Sequence, residues 1–355
     1  MQEVSMTTLP RMFTPALLLG AIVSASSAFA AIKEAPSTVD AVYKVQSSTQ
    51  ALEPGEKVAD LFQLNMSTPY VLQRLTEHTY WYESGFYATI FYVGEKGVLL
   101  FDPLEMRSDK ILQAIRSVTD KPIATIVYSH DHADHISGTA ELLEAVKSTQ
   151  TIAPEIIASQ ATVDKMELLG SNIPRPTKVL EWPESKFQFE DQTIELHGFA
   201  HAAHTDDHSA WLLVQERVMH APDLLNADQP PFWNFAGSER FTYLVQNLKT
   251  VNAMEWDHFN GGHGNVGSHD DFNFHLTFIA DLEAAVAKAM QEVPFGFGVE
   301  MDKINAHTVM LPAWYGEIAR KATEELRPKY GKYYGYETAV PANAQMIAEY
   351  LYSYR

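Results

Sequence analysis

Between His130 and His135 the chain sets three histidines and two aspartates within six residues, in the stretch "IVYSHDHADHISG" from Ile126 to Gly138. The apolar run before it, "PIATIVYS", reads as a buried strand, and "GTAELLEAVKS" after it carries Leu142, Leu143 and Val146 at helical spacing. The cluster therefore falls on a strand-to-helix loop, where open α/β sheets place their chemistry. His130-x-His132 brings two imidazoles together at the strand end, and Asp134 and His135 add a carboxylate and a third imidazole. One cation cannot readily use all four from so short a loop. Two adjacent cations can, His130 and His132 serving one and Asp134 and His135 the other, and each then needs further ligands from elsewhere.

Three later positions meet that demand. His204 stands in "HAAHTDDHS" before the strand-like "SAWLLV", Asp223 in "VMHAPDLL" at a strand end, and His263 in "FNGGHGN", where flanking glycines allow close backbone approach. His201 and His208 compete with His204, and Asp228 competes with Asp223. A charged loop with no metal is the plain alternative for the cluster alone, and the three distant partners weigh against it. Cysteine is absent, so thiolate ligands and disulfides are excluded. An imidazole and carboxylate set is compatible with zinc, iron or manganese.

The flanking sequence reads as a layered α/β fold. Tyr87 to Val93 and Val98 to Phe101 flank "GEKG", a hairpin signal. "SDKILQAIRSV" has helical periodicity, as do "FTYLVQNLKTV" and a later stripe of Phe274, Phe278, Leu282, Val286 and Met290. Strand-like runs recur at "KFQFE", "TIELHGFA", "SAWLLVQ" and "VMHAP". This order suggests two sheets packed face to face with helices outside. Beyond Pro294, two more helical patterns around Trp314 to Leu326 and Ala342 to Leu351 form a tail rich in tyrosine. Core packing is the default role for these tyrosines, with a pocket lining or a homo-oligomer contact as alternatives.

The order H-x-H-x-D-H, then a separate His, an Asp and a final His, resembles the metallo-β-lactamase-fold hydrolases over roughly Thr76 to Val293. The resemblance implies an αββα sandwich of two mixed sheets flanked by helices, here with a C-terminal helical extension. It implies two divalent metal ions, zinc first, with His130, His132 and His204 on one and Asp134, His135 and His263 on the other. Asp223 would bridge them, as suits a carboxylate with two oxygens. Asp134 would also orient the nucleophile, a water ionised near neutral pH by the metals. Ala203 and Pro222 depart from the glycines that often precede the corresponding His and Asp. Asp102, ending the strand "GVLLFD", resembles an aspartate beneath the metals in relatives, or is a turn residue before Pro103.

The bridging aspartate and the lack of cysteine point within that family away from true β-lactamases and toward a lactonase-like ester hydrolase. A carboxylic ester or lactone of a small hydrophobic substrate is the first expectation. β-Lactam hydrolysis and phosphodiester or sulfate ester hydrolysis are the alternatives, beside a repurposed binding protein that the intact ligand set argues against. The net charge of −19, from 26 basic and 45 acidic residues, disfavours nucleic acid as a partner. Aromatic residues Trp81, Tyr82, Phe86, Tyr87, Phe232, Trp233 and Phe235 are the pocket candidates.

The expected organisation is a signal peptide over 1–30, an extended arm over 31–75, the catalytic domain over 76–293 and the helical extension over 294–355. The leader has an apolar core from Ala16 to Val23 and the cleavage pattern Ala28-Phe29-Ala30. That core is short against the about 20 residues a membrane span needs. An uncleaved anchor is the alternative, and the mature protein is expected to be periplasmic or secreted without stable membrane insertion.

Overall fold

The computed structural model describes residues 35–299, 302 and 306–354; the leader-like segment lies outside them. A short parallel pair, β1 (Tyr43–Lys44) and β2 (Lys57–Val58), precedes the sheets. The first sheet has seven strands in chain order: β3 (Val71–Arg74), β4 (Thr79–Ser84), β5 (Tyr87–Val93), β6 (Val98–Phe101), β7 (Ile123–Val127), β8 (Glu155–Ser159) and β9 (Lys178–Leu180). It is antiparallel from β3 to β6 and parallel from β6 to β9. The second has five, again in chain order: β10 (Glu184–Phe189), β11 (Gln192–Gly198), β12 (Ser209–Leu213), β13 (Val218–His220) and β14 (His258–Asn260). Here only β13 and β14 are parallel.

Strand alternation divides the apolar residues among layers. Leu99 and Phe101 of β6 point between the sheets, where they join Trp81, Ile90, Val127, Leu196, Trp211 and Leu213. Val98 and Leu100 point outward, with Ile126 and Tyr128, against Ile111, Ile115 and Leu142 of the helices Ser108–Arg116 and Thr139–Val146. On the far side, Leu212 and Met219 pack against Leu248, Phe272 and Leu282 of the helices Leu244–Asn252 and His269–Glu292. The result is the expected αββα sandwich of two mixed sheets.

The tail forms two helices, Met310–Tyr330 and Tyr336–Ser353. Trp314, Ile318, Ala322, Tyr330, Val340, Ala344 and Ile347 share one buried cluster with Phe278, Leu282 and Val286 of the long helix. The extension therefore continues the core, and Tyr330 and Tyr336 are buried in it. The arm expected over 31–75 needs correction at its end: Val71–Arg74 is already the edge strand of the first sheet. Its polarity hid it. Gln73 is buried, with its amide satisfied by the arm, accepting from the Ser47 backbone N–H at 2.8 Å and donating to the Gln50 carbonyl at 2.9 Å.

A buried ion pair ties the arm to the long helix. Lys57 Nζ donates to Asp271 Oδ2 at 2.7 Å and to the Val266 carbonyl at 3.0 Å, with both side chains inaccessible. Burial opposes the charge on Asp271, and the Lys57 ammonium overcomes this to hold its carboxyl below the usual range. Asp271 also caps its own helix by accepting from the Ser268 N–H at 2.8 Å. Replacing Lys57 with Met leaves that carboxylate buried and uncompensated, so a loss of about 3–5 kcal/mol is expected. Urea unfolding would read this as a lower midpoint at unchanged slope. A cost below about 1 kcal/mol, the range of exposed pairs, would contradict this role.

Candidate metal centre

Each site residue follows a strand that ends at the same edge of the sandwich. His130 and His132 lie in the loop after β7, with Asp134 and His135 on the single turn Ala133–Ile136 beyond it. His204 comes from the β11–β12 connection, Asp223 from just after β13, and His263 from just after β14. Asp223 sits at φ 63 and Asp102, directly after β6, at φ 39, a left-handed region that Asp tolerates better than bulky residues. Gly262 is required as well: at φ +77, a Cβ there would lie 2.8 Å from both His135 Cε1 and Pro222 Cβ.

The sequence-expected residues converge into two donor sets: His130, His132, His204 and Asp223, and Asp134, His135, His263 and Asp223. Within each set the donor atoms lie within 4.8 Å of one another. In the first, His204 Nε2 is 3.3 Å from His130 Nε2 and 3.1 Å from His132 Nδ1. Asp223 Oδ2 is 3.2 Å from His204 and 3.5 Å from His130. In the second, His135 Nε2 lies 3.1 Å from Asp223 Oδ2 and 3.6 Å from Asp134 Oδ2. His263 Nε2 lies 3.5 Å from Asp134 and 3.3 Å from Asp223 Oδ1. A tetrahedron of zinc–donor bonds of about 2.0–2.1 Å has edges of roughly 3.3 Å. Both sets match that size, and their all-nitrogen-and-oxygen chemistry suits divalent cations.

The competing residues lie apart from these sets. His208 Nε2 donates to the Pro222 carbonyl at 2.6 Å, and burial pushes its imidazole down to about 3, so it is a neutral donor. His201 stacks on Tyr243. Asp228 accepts from Tyr43 Oη at 2.7 Å and Ser37 Oγ at 2.9 Å, tying down the arm.

Electrostatics knit the two sets together. Burial opposes the charge of Asp223, yet the imidazoles of His135 and His204, with those of His130 and His132 beside them, hold its carboxyl well below the usual range. His263 is also desolvated, but Asp134 and Asp223 hold its imidazole well above the usual value. His130 shows the reverse, because burial, aided by three neighbouring imidazoles, outweighs its contact with Asp223 and lowers it strongly.

A supporting shell fixes the loops. Asp102 Oδ1 accepts from the Ser129 N–H at 2.8 Å, and its Oδ2 accepts from His220 Nε2 at 3.0 Å. Its distance to His135 Nδ1 is 3.8 Å, too long for a hydrogen bond, so it orients the His130 loop through the backbone. His220 Nδ1 receives Asn260 Nδ2 at 2.9 Å, and Asn260 Oδ1 accepts Trp81 Nε1 at 3.0 Å. Burial lowers the His220 imidazole, consistent with the neutral form this chain of bonds requires. His263 Nδ1 donates to the Phe86 carbonyl at 2.8 Å, leaving Nε2 toward the site. Sequence reasoning left His220, Asn260 and Ser129 without a role. The available signal was a histidine inside the apolar run "VMHAP", which is buried only if its nitrogens find partners.

The aromatic candidates divide. Trp81 belongs to the inter-sheet core and Tyr82 is buried beneath the outer helices, away from any pocket, while Phe235 is buried behind the rim and packs on Phe241. Tyr87 and Phe232 flank His263, with ring centroids at 4.9 and 6.4 Å. Phe232 and Trp233 are 49% and 54% exposed.

Parts of this chain are similar to known proteins. An 80-residue stretch, 21% of this chain, is 36% identical to the linear primary-alkylsulfatase of a Pseudomonas species, and covers 15% of that relative's length. A metallo-β-lactamase from Pontibacter korlensis is 16% identical with a TM-score of 0.49, over 58% of this chain and 97% of that one. The DIM-1 metallo-β-lactamase is 15% identical with a TM-score of 0.49, over 59% and 97%. The family model of the metallo-beta-lactamase superfamily matches residues 84–272. With that match over more than half of its length, and with the H-x-H-x-D-H cluster at the shared edge of its two sheets, the chain belongs to the metallo-β-lactamase superfamily, as one of its metallo-hydrolases.

Proposed function

We propose that this protein holds two divalent cations and hydrolyses an ester whose organic part is apolar, with a carboxylic ester or lactone as the first substrate class. The observation that carries the reading is the position of Asp223, the one residue common to both donor sets. In this reading His130, His132 and His204 hold one cation, Asp134, His135 and His263 the other, and Asp223 lies between. The cations would supply Lewis acidity and an ionised water at neutral pH, so no serine or cysteine nucleophile is needed.

The remaining work falls to the chain. The Asp134 side chain is 32% exposed against 6% for Asp223, so it alone of the two retains lone pairs toward solvent. It is placed to orient the attacking water. Tyr87, Phe232 and Trp233 would receive the apolar part of the substrate. The leader-like N-terminus supports a periplasmic or secreted location. Among the described residues no helix is long and apolar enough to cross a membrane.

A sulfate ester is the second reading, favoured by the local identity to a linear primary-alkylsulfatase. It uses the same donor sets and the same apolar wall, and differs in the oxyanion presented to them.

Protein prepared without chelators should carry two equivalents of divalent metal by elemental analysis. His204→Ala should lose the first equivalent and keep the second, whereas Asp223→Ala should lose both. Full occupancy in Asp223→Ala would contradict the shared position. Proton competition should separate the two sets. Imidazole binds metal only when neutral. The raised imidazole of His263 takes up its proton early as pH falls, and the lowered one of His130 only late. Dialysis at falling pH should therefore strip the second set before the first, and simultaneous release would count against the assignment.

A panel of carboxylic esters, lactones, thioesters, β-lactams, phosphodiesters and alkyl sulfates decides the substrate class, and turnover confined to β-lactams would reject both readings. On whichever ester is turned over, Asp134→Ala should lower kcat by about 10²–10⁴-fold with little change in unfolding. An Asp134→Ala enzyme of full activity would remove it from the mechanism.

A further inference from the structure

The loop that carries Phe232 and Trp233 contains the most unusual backbone in the described chain. Asn234, Phe235, Ala236 and Gly237 have φ of 48, 48, 56 and 73° in succession. Gly237 suits this region and Asn234 tolerates it, but Phe235 and Ala236 do not, and side-chain-bearing residues enter it singly as a rule. Such a turn persists only where its surroundings over-determine it. Within the loop, the Ser238 N–H donates to the Asn234 carbonyl at 3.0 Å and Ser238 Oγ to the Phe235 carbonyl at 2.7 Å.

The two ends of the loop are held from different directions. On the metal side, the Glu239 and Arg240 amides donate to the His204 and Ala203 carbonyls at 3.2 and 2.8 Å. On the other side stands Asn343, fully buried on the last helix, Tyr336–Ser353. Its Oδ1 accepts from the Phe235 N–H at 3.0 Å, and its Nδ2 donates to the Pro231 carbonyl at 2.8 Å. One side chain thus spans the segment from Pro231 to Phe235 and brackets the two exposed rings between its bonds. An amide carries its donor and its acceptor on separate atoms, so one Asn side chain can make both bonds at once.

We infer that Asn343 is a positioning residue that clamps the left-handed turn Asn234–Gly237 and thereby holds Phe232 and Trp233 as the apolar wall for the acyl chain of an ester substrate. Through this contact the C-terminal extension reaches the rim of the site, far in sequence from every metal donor. The substrate half of the inference rests on the ester reading proposed above, while the clamp itself does not.

Zinc-loaded Asn343→Leu protein tests it. Amide exchange in residues 231–238 should accelerate by about tenfold or more, the effect of losing a buried hydrogen-bond pair, with zinc content unchanged. Asn343→Asp, which keeps the acceptor for the Phe235 amide, should fall between the two and covers the case of poor folding. With p-nitrophenyl decanoate KM should rise about fivefold or more, while kcat and the KM for p-nitrophenyl acetate stay unchanged. Adding Ala236→Gly, which lowers the cost of the left-handed turn, should recover both readouts in part. Unchanged exchange in Asn343→Leu, or no recovery on adding Ala236→Gly, overturns the clamp. Equal KM changes for the two esters overturn the wall. A wild-type enzyme that turns over neither ester removes the ester reading and the wall with it, and exchange still decides the clamp.

Discussion

The carboxylate of Asp223 is the charge on which the site depends. It is nearly inaccessible to water, five imidazoles lie within 3.1 to 3.9 Å of its two oxygens, and a second carboxylate, Asp134, shares two of those neighbours. A buried carboxylate is costly unless it is paired. Here the pairing partners come from three other chain segments, so the charge is tolerable only if both sheets bring their edges to the same point. The same arrangement that satisfies one anion leaves imidazole nitrogens facing one another at cation-binding distance.

The sandwich supplies that convergence with little adjustment. Parallel strands β6, β7, β13 and β14 end at one edge, and the residues just past them are Asp102, the His130 loop, Asp223 and the His263 loop. Because both sheets run in chain order, β6 and β7, and β13 and β14, end one strand spacing apart, and the residues just past them need only a turn to enter the site. Asp102 and Asp223 accept left-handed backbone to make those turns. The chain of Trp81, Asn260, His220 and Asp102 then links the inter-sheet core to the first histidine loop, so packing of the two sheets and aim of the ligating residues are one structural event.

The segments outside the sandwich attach to it by buried polar bonds and not by apolar contact alone. Lys57 reaches Asp271 from the arm, and Asn343 reaches the rim loop from the tail. Each such bond is worth most when unmade groups would otherwise be left dry.

Residue pattern and the family resemblance it carries were enough to single out the seven residues that the fold gathers, the strand-to-helix loop that bears four of them and the two-layer sheet architecture, because candidate ligands must offer particular atoms and β and α periodicities are local. Position relative to the site was another matter. Trp81 and Phe86 look alike in "TYWYESGFY", yet one fills the core and the other lends its carbonyl to His263. Val71–Arg74 read as arm because Gln73 is buried against a loop and not against apolar side chains. His220 carries only a local sign of burial and Asn343 none, since their partners lie 118 and 108 residues away. A hydrogen bond between distant segments exists only once packing has placed both ends, and for that reason the donor identities were written in the chain while their aim, their support and the wall above them belong to the folded protein.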